Sequence, residues 1–213
     1  GERIDIAHSR AHLFGVCLLN DWSARDVQKW EYQPLGPFNA KNFASTVSPW
    51  IVTLDAIEPW FERGPVREAD APANLPYLVW KDDFTFDLQL SVSIVSASMR
   101  EKNIAPFEIS RGSYRDMYWT LSQMLAHHTS TGCPMNAGDL MGSGTVSGTT
   151  PESRGSMLER TWRGTEPLQL PDGSSRKFID DGDEIILRGW LNAKGNLPRI
   201  ALGECRGRIL PAQ

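Results

Sequence analysis

Long apolar runs are missing from this sequence, and none approaches the roughly 20 residues that a bilayer-spanning helix requires. A basic excess is missing too. Lys and Arg number 22 against 26 Asp and Glu, a formal net charge of −4, and the cations do not cluster. That balance excludes a protein built to grip a phosphate backbone. Cysteine is scarce: Cys17, Cys133 and Cys205 are an odd number without CxxC spacing. They complete no disulfide framework and suit reduced thiols in a cytoplasmic chain. Low-complexity tracts and repeats of solenoid period are absent as well. What is present is an ordinary globular balance, 40% hydrophobic and 23% charged over 213 residues, the size of one domain. The expectation is a soluble protein with neither nucleic acid nor membrane as partner.

The 18 glycines and 14 prolines are spread along the chain, punctuating many short elements rather than forming a linker. Leu13–Leu19 is a continuous apolar run of strand length, and Trp50–Leu54 is another. Asp87–Val95 alternates polar and apolar residues as a half-buried strand does. Ser156–Trp162, Glu184–Leu191 and Ile200–Leu210 are read as further strands, with Gly182 and Gly195 at turns. Glu62–Pro76, rich in Ala, Pro and charge, is read as a surface loop. Ser113–His128 is read as a helix, because Met117, Leu121, Met124 and His128 recur on one face. Thr131-Gly132 would close it. A shorter helix is expected over Ala24 to Glu31, opened by Ser23 and Asp26 as a capping box and stopped before Gln33-Pro34. The sum is a β-rich α+β fold.

On that short helix Ala24, Val27 and Trp30 form an apolar side, while Arg25, Gln28 and Tyr32 share another face. Asp21 precedes the helix where the apolar strand ends. An acid at a strand end, feeding a helix that presents Arg, Gln and Tyr, suits the floor of a polar pocket. Periodicity alone favours the plainer reading, a solvated helix face with Asp21 as a turn residue. Lys41 stands alone among small and aromatic residues after a Gly/Pro turn, where a fixed cation can face an oxyanion or enolate; an ordinary surface lysine is the alternative. Asp180-Asp181-Gly182-Asp183 lacks the spacing and terminal Glu of a calcium loop and reads as a β-turn. Gly142-Ser143-Gly144-Thr145 is too short for a phosphate loop. The eight tryptophans are read as core or rim.

Four segments carry a resemblance: NDWSARDVQKWEYQPLGPFNAKNFASTVSPW (20–50), GSGTVSG (142–148), GSMLERTWRGTEPLQL (155–170) and KFIDDGDEIILRGW (177–190). From about Arg10 to Pro211 the chain resembles the catalytic domain of the fumarylacetoacetase family. The Trp-Glu-Tyr-x-Pro-Leu-Gly-Pro-Phe extension points to that family within the wider group of acylpyruvate hydrolases, decarboxylases and isomerases. The resemblance implies a mixed β-sandwich or roll and a cytoplasmic homodimer. It implies metal-dependent hydrolysis of the C–C bond of 4-fumarylacetoacetate, the last step of tyrosine and phenylalanine breakdown. By position, Asp21, Lys41 and Ser45 match the metal site for Ca²⁺ and/or Mg²⁺, Ser45 standing where Thr is usual and Ala44 where Gly is usual. Gln28, Tyr32 and Thr145 match substrate-contacting positions. Arg25 matches a residue holding the substrate and its developing charge. Glu159 matches the carboxylate that orients a general-base histidine.

Such chemistry needs an activated water and a stabilised enolate leaving group, which a metal, Lys41, Arg25 and Gln28 would serve. An imidazole backed by a carboxylate would take the water's proton. Here the chain departs from the family pattern. The general-base histidine and three further metal carboxylates, two of them in a Glu-x-Glu strand, belong to a segment upstream of Gly1. His8, His12, His127 and His128 are read as non-catalytic. Residues 1–213 are therefore expected to be the larger part of one catalytic domain that lacks its N-terminal portion. A hydrolase of another β-diketo or acylpyruvate acid, and a non-catalytic relative that keeps the fold, stay open beside this reading.

Overall fold

The structure is a computed structural model and describes residues 1–66 and 68–211. A 3₁₀ turn over Ile6–His12 leads into β1 (Gly15–Val16), β2 (Leu19–Asp21) and α1 (Arg25–Glu31). Next come β3 (Ser45–Val47), β4 (Val52–Thr53), α2 (Leu54–Ile57) and β5 (Phe61–Arg63). β6 (Phe84–Phe86), β7 (Leu88–Val95), α3 (Ala97–Glu101), β8 (Phe107–Ser113) and α4 (Leu121–His128) form the middle of the chain. α5 (Met157–Arg160), β9 (Leu168–Gln169), β10 (Ser175–Arg176), β11 (Glu184–Leu191) and β12 (Ile200–Arg208) complete it.

Among the described residues the largest sheet is antiparallel, ordered β12-β11-β7-β8. Four two-stranded pairings surround it: β1 with β4, β2 with β3, β5 with β6, and β9 with β10. Helices and strands of this kind make an α+β fold. β7 and β11 are paired without a break from Glu184 opposite Val95 to Leu191 opposite Leu88. Their Val, Ile and Leu content suits a pleated surface covered by other elements. One core cluster gathers at the Leu88/Leu191 end, where Phe86, Leu202 and Ile57 are buried. A second gathers at the Val95/Ile185 end around Ile94, Met99 and Ile186. Each such side chain contributes roughly 1.5–3 kcal/mol through burial.

The expected strands Asp87–Val95, Glu184–Leu191 and Ile200–Leu210 are β7, β11 and β12 within two residues. Leu13–Leu19 is not one strand. Its pairing changes partner midway: β1 pairs β4 and β2 pairs β3. Between them Leu18 donates its N–H to Ser48 Oγ (3.0 Å), and Ser48 N–H donates to Leu18 O (2.9 Å). Trp50–Leu54 shrinks to Val52–Thr53, because the Thr53 hydroxyl accepts from Ala56 N–H and opens α2. Ser113–His128 is not one helix either. Ser113 ends β8 and caps a 3₁₀ turn, and α4 begins only after Thr120, which forms a reciprocal box with Gln123. Gly132 does take a left-handed conformation, beyond a C-cap at Thr129.

Ser156–Trp162 is corrected from strand to helix. Ser156 Oγ accepts from Glu159 N–H and donates to Glu159 Oε2, and left-handed Trp162 and Arg163 end the turn. The box expected at Ser23 and Asp26 does not form. Ala24 is the N-cap with no side-chain bond, Ser23 Oγ donates to Asp21 O, and Asp26 Oδ1 accepts from Val27 N–H. Nor is the Ala24/Val27/Trp30 side packed, since α1 has no buried residue and Trp30 is 86% exposed. Of the eight tryptophans only Trp60 is buried, and Trp50, like Trp30, is exposed. The expected Glu62–Pro76 loop starts too early, because its first two residues, Glu62 and Arg63, end β5; Arg67 within it lies outside the described residues. Among the described residues no helix is long and apolar enough to cross a membrane.

Candidate active site

β2 ends on Asp21, which faces Ser45 of β3 in the antiparallel register. Four residues later α1 begins, and its first turn carries Arg25 and Gln28 side by side, Arg25 Nη1 donating to Gln28 Oε1 at 3.4 Å. Tyr32 caps the helix. The chain then doubles back through Gly36 and a tight turn in which Lys41 N–H donates to Phe38 O. This return brings Lys41 Nζ to 2.7 Å from Asp21 Oδ2. Both side chains keep solvent contact, Lys41 at 32% and Asp21 at 51%. An ion pair of that exposure adds little to stability; its consequence is positional, a cation held beside a carboxylate at one spot.

Two features that sequence reasoning gave no role build this corner. The carboxylate of Glu31, at the end of α1, accepts from Asn39 N–H (3.1 Å) and Ala40 N–H (2.7 Å). The carbonyl of the fully buried Ala40 accepts in turn from Ala24 N–H (3.0 Å). A carboxylate before a Gly/Pro turn was the available signal for this clasp.

Glu159 sits on α5, reached through the Gly142–Gly148 segment. Its Oε2 accepts from Ser147 Oγ (2.9 Å) and Ser156 Oγ (2.8 Å). Ser147 Oγ also accepts from Gly155 N–H (3.0 Å), joining the two segments. Gly155 is required by close approach, since a Cβ there would lie 2.2 Å from Val146 O. The S-x-x-E spacing at Ser156 was the signal for the N-cap whose hydroxyl orients Glu159. No histidine is bonded to that carboxylate among the described residues; its side-chain partners are the two serines.

A cleft of about 2600 Å³ is walled by Asp21, Arg25, Gln28, Tyr32, Lys41 and Thr145. Six expected site residues therefore meet in one cavity. Glu159 stands behind its wall through Ser156, which does line it, whereas Ser45 lies exposed outside the lining. His12 lines the cleft. His127 Nδ1 instead lies 2.9 Å from Tyr77 Oη, and His128 Nε2 lies 3.4 Å from Cys133 Sγ. The Asp180–Asp183 segment is a turn, as read, with Asp183 N–H donating to Asp180 O.

Calcium takes about six to eight oxygen ligands, and magnesium a near-ideal octahedron. Among the described residues no three His, Cys, Asp or Glu side chains gather as a metal group, and Asp21 Oδ2 already accepts from Lys41. Among the described residues the donor set does not by itself fit such an ion; of the expected metal-site residues Asp21, Lys41 and Ser45, Asp21 is the one carboxylate. Without an ion, the arrangement still provides a cavity edged by Lys41 and Arg25 as fixed donors toward oxygens that gain negative charge.

Residues 1–210 match the family described as "Fumarylacetoacetate (FAA) hydrolase C-terminal". The chain is 51% identical over 214 residues to a fumarylacetoacetase of Dictyostelium discoideum. It is 47% identical over 212 residues to that of Homo sapiens, and 43% over 212 to that of Arabidopsis thaliana. Each comparison takes in all of this chain and 48% of the relative. The chain thus spans about half the length of the curated relatives it matches.

Proposed function

The chain belongs to the fumarylacetoacetate hydrolase family, and from that premise we propose that it forms the larger part of a catalytic domain that hydrolyses 4-fumarylacetoacetate to fumarate and acetoacetate. The observation that carries the reading is the convergence of Lys41, held against Asp21, with Arg25 and Gln28 on a single cleft. In this reaction water oxygen bonds to the ketone carbon, the adjacent C–C bond breaks, and its electron pair leaves with the acetoacetate fragment as an enolate. The proton that the attacking water gives up is returned to the enolate carbon, leaving fumarate and acetoacetate. Lys41 Nζ and the Arg25 guanidinium donate to the oxygens on which charge accumulates, where preorganised donors are worth most. Gln28, Tyr32 and Thr145 orient the chain of the substrate along the cleft wall.

Residues 1–213 supply Asp21 as a single carboxylate toward Ca²⁺ and/or Mg²⁺, which would polarise the diketone oxygens. In this proposal the other ligands of the ion and the general-base imidazole come from polypeptide outside this chain, and Glu159 fixes that imidazole. The four-stranded sheet is taken as one layer of a sandwich or roll, and the assembly as a cytoplasmic homodimer in tyrosine and phenylalanine breakdown. The test is turnover of fumarylacetoacetate, fumarylpyruvate and acetylpyruvate by the full-length protein. Preference for the first by kcat/KM is expected. Faster cleavage of an acylpyruvate would reassign the substrate, and cleavage of none would leave a binding protein.

A further inference from the structure

α1 and its C-cap Tyr32 carry three of the side chains assigned to the substrate, Arg25, Gln28 and Tyr32, yet none of the residues of α1 is buried. Its position therefore cannot come from an apolar face pressed into a core. Three polar links do the work instead: Asn39 and Ala40 N–H to the two oxygens of Glu31, and Ala24 N–H to Ala40 O. They tie both ends of α1 to the turn that presents Lys41. Glu31 is also placed against local preference. It is the last residue of the helix, where free carbonyls already gather negative charge and Lys, Arg or His is favoured. No Lys, Arg or His pairs with it among the described residues. Its carboxylate is satisfied by two successive backbone amides, and such charge-assisted bonds are about twice as strong as neutral ones.

We infer that Glu31 is a positioning residue: it clasps the 38–42 turn to α1 and so sets the distance between Lys41 and the Arg25–Gln28 pair. Glu31 does not line the cleft and touches no reacting atom. Its effect passes through Ala40, whose neighbour is Lys41, and through Ala24, whose neighbour is Arg25. The inference rests on the proposed C–C hydrolysis for its kinetic consequence, but not for its structural one. A misplacement of about 1 Å in such a group costs on the order of 100-fold in rate.

The experiment compares wild type, Glu31→Ala and Glu31→Gln in the full-length protein. Glu31→Ala is expected to lower kcat about 10–100-fold with little change in KM, and Glu31→Gln, which keeps an acceptor for one amide, to recover a large part of that loss. Two further readouts need no turnover. Amide exchange at Asn39 and Ala40 should quicken at least about tenfold in Glu31→Ala. Acylation of the Lys41 amine by acetic anhydride, followed by mass spectrometry, should rise in the same variant. If wild type cleaves no β-diketo acid, the functional reading fails while exchange and acylation still decide the clasp. Unchanged exchange and acylation would overturn it. So would equal losses in both variants with a matching drop in melting temperature, the mark of a merely structural role.

Discussion

Lys41 Nζ lies 2.7 Å from Asp21 Oδ2, although 20 residues and a helix separate them in the chain. The pair lines the cleft, and both side chains keep contact with solvent. Exposed pairs contribute about 0–1 kcal/mol, whereas a donor aimed at developing charge is worth several times that in the transition state. Lys41→Met should therefore leave thermal stability almost unchanged while kcat falls about 100-fold or more. Melting curves beside steady-state kinetics check this; full turnover in the variant would remove Lys41 from the mechanism.

Glu159→Gln is predicted to fold normally, because an amide can still accept from Ser147 or Ser156. What it loses is the negative charge that the proposed mechanism sets behind an imidazole. Replacing the carboxylate that orients a general-base histidine costs on the order of 10⁴ in rate where it has been tested. The expected signature is a fall in kcat of that order with substrate binding retained, measured by single-turnover kinetics and equilibrium titration. Weakened binding at unaltered rate would make Glu159 a substrate contact instead.

Arg176 holds Asp183 with two prongs of its guanidinium, Nε to Oδ2 at 2.7 Å and Nη2 to Oδ1 at 2.9 Å. Asp183 is fully buried, and its Oδ2 also accepts from Asp180 N–H. The Asp183 bonds hold the Arg176 guanidinium above its ordinary range. Removing one partner strands a buried charge, which costs about 3–5 kcal/mol. Arg176→Met should lower stability by that order in chemical denaturation. A loss below about 1 kcal/mol would mean that water reaches Asp183 in the native state.

That pair also marks where sequence reading reached its limit. A turn at Asp180–Asp183 was legible from Gly182, but the bond from Arg176 to a buried acid is tertiary and leaves no periodic trace. β7, β11 and β12 were legible because their apolar and β-branched residues recur over lengths along which the pairing partners do not change. Leu13–Leu19 was equally apolar, yet Ser48 redirects its pairing at Leu18, and pattern alone does not show a change of partner. The two S-x-x-acid motifs had opposite fates. Ser156 caps its helix and bonds the Glu159 carboxylate, whereas Ser23 turns back to Asp21 O. At the site, Asp21, Arg25, Gln28, Tyr32, Lys41 and Thr145, expected from the sequence, all line one cleft. The Glu31 clasp and the Ser147–Glu159 bond were not, since both depend on where a loop returns.

Tyr114 supplies a test of the core that is independent of activity. It is 6% exposed, stacks on Phe86 with ring centroids 5.1 Å apart, and its hydroxyl has no hydrogen-bond partner among the described residues. Burial pushes its pKa up from 10.0 to about 12. For a group whose folded pKa is raised, stability is intact below the unfolded value and is lost as pH climbs through the folded one. Between about pH 10 and 12 the unfolded chain ionises this phenol while the native chain resists, so unfolding is favoured across that window. Tyr114→Phe removes both the ionisation and an unpaired buried polar atom, whose desolvation costs about 1–3 kcal/mol. The variant should thus be at least as stable as wild type at pH 7, and its stability should fall less steeply above pH 10. Urea titrations at both pH values decide the matter. A clear loss of stability at pH 7 would show that the hydroxyl has a partner in solution.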